Sequence, residues 1–171
     1  MTDEIDYKFI KFRTFPWGPI DPEDMKINDF NIKLCYITDD EIKHIKFYEC
    51  DIDNKVIINK LKCGYIARME NKYLNCKKYV NIDKDYFIKI YYEIYNMDFE
   101  NIVNKSETGC DGDEFEVKIG KEKGLNYIYK KIGLWSPPCT NDNIVNDQVN
   151  RIDLFNNHLS YQPIIIDEAT D

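Results

Sequence analysis

At 171 residues, the chain suits one domain, and its 43% hydrophobic and 14% aromatic content supplies enough apolar material for a core of its own. The net charge of −8 excludes a general binder of duplex nucleic acid or of an anionic membrane, because phosphate surfaces call for a positive field. The same charge favours a basic protein partner, which field complementarity would attract.

In chain order, residues 7–15 read as a strand, rich in aromatic and Ile residues that suit a pleated surface. Pro16 and Pro19 end it, since proline cannot donate to a ladder. Residues 16–29 form a polar loop carrying Asp21, Glu23, Asp24 and Asp29, with Trp17 as its one large aromatic side chain. Residues 30–36 alternate cleanly, with Phe30, Ile32, Leu34 and Tyr36 on one face and Asn31, Lys33 and Cys35 on the other. Thr38 to Glu41 marks a turn or a helix start, and 42–50 is expected to return as a strand. Further strands are expected at 56–58, 61–67, 73–80 and 86–95. Residues 98–105 suit a short helix or a loop. Residues 115–119 and 125–132 form the best hairpin, joined by a turn at 120–124. From Pro137-Pro138 the tail is weakly patterned.

Many short strands without long amphipathic helices between them predict an all-β fold with minor helix, a two-sheet β-sandwich. Residues 1–171 form one domain, with an irregular tail at 134–171. The excess acid sits at the two ends. Residues 1–29 hold seven acids against four bases, residues 30–139 hold eighteen of each, and residues 140–171 hold six against one.

Six cysteines stand at Cys35, Cys50, Cys63, Cys76, Cys110 and Cys139. None form a C-x-x-C pair, and the two histidines, His44 and His158, lie far apart. Zinc ligation is therefore not expected. Wide, even-numbered spacing suits disulfides and an oxidising compartment, with the pairing left open. Asn104-Lys105-Ser106 is a glycosylation acceptor. The acidic start lacks the apolar region of a signal peptide. A secreted reading therefore expects a mature or excised piece whose Met1 was added.

Signatures of catalysis are missing: no G-x-S-x-G, H-E-x-x-H or phosphate-binding glycine loop occurs. The acidic turns at 51–54 and 111–114 match no complete calcium loop. The expectation is therefore a binding protein with no cofactor and no metal. Glu107, Asp111, Asp113, Glu114 and Glu116 add a second acidic patch suited to basic side chains.

Residues 109–119 with 125–133, the stretch from Cys63 to Cys76, and residues 5–37 together resemble the secreted chemokine-binding domains of poxviruses. Cysteine placement and strand order carry the resemblance, which covers roughly 5–133; the tail matches nothing. The resemblance implies a secreted β-sandwich that binds basic host chemokines and blocks their receptors. Such a domain stands alone or follows an N-terminal cysteine-rich receptor domain of the tumour necrosis factor receptor type. On that reading, Asp21, Glu23, Asp24 and Asp29 attract the ligand at long range, and Arg68 and Glu70 supply closer contacts. Two alternatives are a related evasion module for a cytokine or a class I histocompatibility molecule, and a small carboxylate-dependent hydrolase with two buried acids in one cleft.

Overall fold

Strands with one apolar face need a second layer, and this chain supplies it with helices. A computed structural model describes residues 7–15, 30–49, 55–58, 61–71, 76–105, 113–124, 126–136 and 142–161. The described residues hold seven strands: β1 (Lys8–Phe15), β2 (Phe30–Ile37), β3 (Lys55–Ile58), β4 (Gly64–Asn71), β5 (Cys76–Asn81), β6 (Asp113–Lys123) and β7 (Asn126–Ser136). The helices are α1 (Asp39–His44), α2 (Lys84–Tyr95), α3 (Phe99–Lys105) and α4 (Asn143–Tyr161), with a π-helical turn at Ile45–Glu49.

All seven strands join one sheet in the order β3-β5-β4-β2-β1-β6-β7. Neighbours are antiparallel from β5 through to β7, while β3 runs parallel to β5 at one edge. The mostly-β expectation is therefore met in part: strands make up roughly half of the described residues, and the helices are not a minor component. The two-sheet sandwich is corrected: among the described residues there is a single sheet, and helices cover it where a second sheet was expected.

The covered face shows why the helices form. Alternation turns Ile10, Phe12, Ile32, Leu34, Ala67, Val117 and Ile119 toward one side. There they meet Phe87, Ile90, Tyr91 and Ile94 of α2, Phe99 and Ile102 of α3, and Val145, Val149, Ile152 and Phe155 of α4. The Tyr65 and Phe87 rings stack at 4.6 Å. Glu93 of α2 accepts from Arg151 of α4, with a second contact at 3.4 Å, which ties the two helices together.

Residues 86–95 were expected as a strand and are a helix. Their aromatic and Ile content suits strands, but Phe87, Ile90, Tyr91 and Ile94 recur at helical spacing. Asp83 caps the start by accepting from the Asp85 amide at 2.8 Å. The tail is likewise not irregular throughout. β7 runs on to Ser136, and Asp142 caps α4 through the Ile144 and Val145 amides at 3.0 and 3.1 Å.

The expected strand at 42–50 is replaced by α1 and the π-helical turn. Thr38 and Glu41 form a reciprocal capping box that commits the chain to helix. These two segments cover one corner of the opposite sheet face. Ile37, Ile42, Ile45, Leu61, Ile66 and Tyr79 form a small second core there, with Cys35 packed against it.

Candidate functional site: the open sheet face

The alternation that turns Ile10 and Phe12 toward the helices turns Phe9, Lys11 and Arg13 the other way. Away from the corner under α1, no described element covers this second face. Register then aligns its charges. Lys131 lies opposite Lys118, Lys118 opposite Lys11, Lys11 opposite Lys33, and Lys33 opposite Arg68. Five cations thus stand in one row across five adjacent strands. At the usual strand spacing the row is roughly 20 Å long.

Like charges directly opposite one another destabilise a sheet, so folding alone does not favour this row. Partial relief comes from its flanks. Lys33 contacts Glu122 at 2.8 Å, Lys131 contacts Glu116 at 3.2 Å, and Arg68 approaches Glu70 at 3.6 Å. Lys118 lies 4.5 Å from the centre of the Tyr129 ring, and Arg68 lies 5.7 Å from that of Tyr79. Arg68 Nε and Asn31 Oδ1 are among the buried polar atoms without a hydrogen-bond partner among the described residues. Both belong to this face, Asn31 standing opposite Glu70 and one step off the row.

A cavity of about 590 Å³ opens at the Arg68 end of the row. The sheet supplies Phe9, Cys35, Ile66 and Tyr79 to its wall, and the helical corner supplies Thr38, Glu41, His44 and Ile45. Lys33, Arg68 and Glu122 line it as well. Its two carboxylates are already engaged, Glu41 by the Thr38 amide at 3.0 Å and Glu122 by Lys33. Burial pushes the Cys35 thiol up, and Glu41 and Glu122 add to the rise against the opposing Lys33 and Arg68. A thiol held in its neutral form is a poor nucleophile, so Cys35 serves this cavity as wall.

Of the residues predicted from sequence, Arg68 and Glu70 sit on the open face. Asp21, Glu23, Asp24 and Asp29 lie outside the described residues, as do Trp17, Glu107, Asp111 and the acidic turn at 51–54. The disulfide expectation is corrected at two positions: Cys35 and Cys63 are free thiols, Cys63 exposed with its sulfur 3.1 Å from the Tyr36 hydroxyl. Cys50, Cys110 and Cys139 lie outside the described residues, and of Cys76 only the backbone is described. Asn104 is exposed near the end of α3. No group of three metal-binding side chains occurs among the described residues, and none of their helices is long and apolar enough to cross a membrane.

Sequence reasoning missed the row itself. Lys11, Lys33 and Lys118 occupy the polar positions of three separate strands, which reads locally as an ordinary solvated face. Only the register across five strands reveals their alignment. No family model matches the chain, and no curated protein or solved structure was found to be similar to it.

Proposed function

We propose that the protein acts by binding, and that its open sheet face receives an acidic protein partner. The row of five cations in a chain of net charge −8 carries this reading. It retains a repulsive arrangement that a carboxylate-bearing partner would relieve. The overall negative charge repels long polyanions, so the fit is to a local acidic patch on a folded protein. Side chains at i and i+4 of a helix lie about 5–6 Å apart, close to the spacing between strands. A helix with Asp or Glu along one face, laid across the strands, would pair with successive cations.

The test uses a synthetic helical peptide with a glutamate face and its charge-scrambled twin, measured by calorimetry at low and high salt. Binding of the first alone, weakened by salt and by Lys118→Glu, supports the reading. Absence of binding at low salt refutes it.

A second reading is the chemokine decoy expected from the sequence resemblance, with its secretion and immune-evasion role. The net charge and Asp21, Glu23, Asp24 and Asp29 favour it. A basic chemokine in the same assay tests it: binding that survives Lys118→Glu and is lost when those four acids become amides points to this reading.

A further inference from the structure

We infer that the cavity at the Arg68 end of the row is a small-ligand site for a singly charged carboxylate carried on an apolar body. The inference rests on the binding reading only in treating this face as a recognition surface. Its size falls within the range of small-molecule sites, which are apolar with a few convergent polar groups. Phe9, Ile45, Ile66 and Tyr79 offer the apolar wall, and Lys33 and Arg68 offer the charge; His44 lines it too, while Lys8, also in the lining, holds its ammonium over the Tyr91 and Tyr92 rings.

The charge state of the ligand follows from what is already engaged. Lys33 is neutralised by Glu122 at 2.8 Å. Arg68 holds Glu70 only at 3.6 Å and keeps a buried Nε without a partner among the described residues. One guanidinium is therefore available in part, which suits one carboxylate accepting two parallel N–H bonds. A doubly charged phosphate would leave charge unmatched beside Glu41 and Glu122. The apolar wall adds the second requirement, since acetate would leave it empty.

A free aliphatic acid and the carboxyl terminus of an apolar-ended peptide present the same chemistry. Calorimetry with octanoate, octanol, acetate, and a short peptide ending in two leucines, as free acid and as amide, separates them. Octanoate or the free-acid peptide is expected to bind saturably, and whichever binds identifies the source. Octanol, acetate and the amide are expected to bind at least about tenfold more weakly, as loss of a charged hydrogen bond or of the apolar contact implies. Arg68→Ala should weaken binding by a similar factor. Arg68→Lys, which keeps the charge without the planar fork, should give an intermediate loss, and it serves if Arg68→Ala fails to fold. No binding by either acid overturns the inference, as does octanol binding equal to octanoate or unchanged affinity in Arg68→Lys. Lys118→Glu, three strands away from Arg68 along the row, should leave octanoate binding intact while disrupting the acidic helix. The cavity and the wider face thus fail separately.

Discussion

Gly120 of β6 is buried and stands opposite both Phe9 and Tyr129. A Cβ there would lie 2.0 Å from the Ile128 carbonyl oxygen, 2.6 Å from the Tyr129 Cα and 2.9 Å from the Ile128 carbonyl carbon. All three atoms are backbone, so no side-chain rotamer can relieve the clash. In Gly120→Ala, β7 must retreat by about 1 Å or more to regain ordinary contact distance. Overpacking typically costs about 1–3 kcal/mol, and a clash with backbone belongs at the upper end. The same shift would loosen the Tyr91 hydroxyl, which donates to the Gly120 carbonyl at 3.4 Å. At about 2–4 °C per kcal/mol for a chain of this size, Tm should fall by about 6–12 °C. Thermal unfolding followed by circular dichroism reads this directly. Gly124 in the same hairpin is the control. It has φ of 61° and open space around its missing Cβ, so Gly124→Ala costs only the left-handed penalty of about 1–2 kcal/mol. If Gly120→Ala loses no more stability than Gly124→Ala, the close passage of the two strands is refuted.

Ile90→Ala should cost about 2–5 kcal/mol in urea unfolding, because Ile90 is wholly enclosed by the covered face. The exposed neighbour Lys89→Ala should stay within about 0.5 kcal/mol, and equal costs would contradict the helical placement of this segment. Towards a disulfide reagent, Cys63→Ser should remove a fast-reacting thiol from the native protein, whereas Cys35→Ser should leave that phase intact. Burial raises the Cys35 pKa in the folded state. Its contribution to stability is therefore full below the unfolded thiol's range and is lost as pH rises through the folded value. Between about pH 7 and about pH 10, wild type should lose more stability than Cys35→Ala, and parallel losses would refute the assignment.

Legibility in the sequence followed the range of the signal. β1, β2, β4 and the β6–β7 hairpin were readable because each buries alternate residues, and alternation is visible within eight residues. α2 was misread because Tyr86, Ile88, Tyr92 and their neighbours have strand-like chemistry, which outweighed the recurrence of Phe87, Ile90, Tyr91 and Ile94. Asp83 was the local sign that a helix begins there. In α4 the buried residues Val145, Val149, Ile152 and Phe155 keep helical spacing amid polar residues, and that sparse stripe passed for irregular chain. The cation row could not be read locally, since no two of its members share a strand. Even Arg68, picked out from sequence as a contact residue, was placed there by resemblance rather than by its alignment with Lys33.

The position of β1 between β2 and β6 has a consequence during synthesis. One neighbour, β2, follows it closely from the ribosome. The other arrives only when Gly120 emerges to meet Phe9. At about 5–20 residues per second, β1 waits roughly 5–20 s with one side unpaired. Over most of that interval Ile10 and Phe12 also lack the cover of α2 and α4. An open strand edge beside uncovered apolar side chains is a template for pairing with another nascent chain. The first of the described strands to be made is thus among the last to be enclosed, and its exposed edge favours pairing between nascent chains until β6 closes over it.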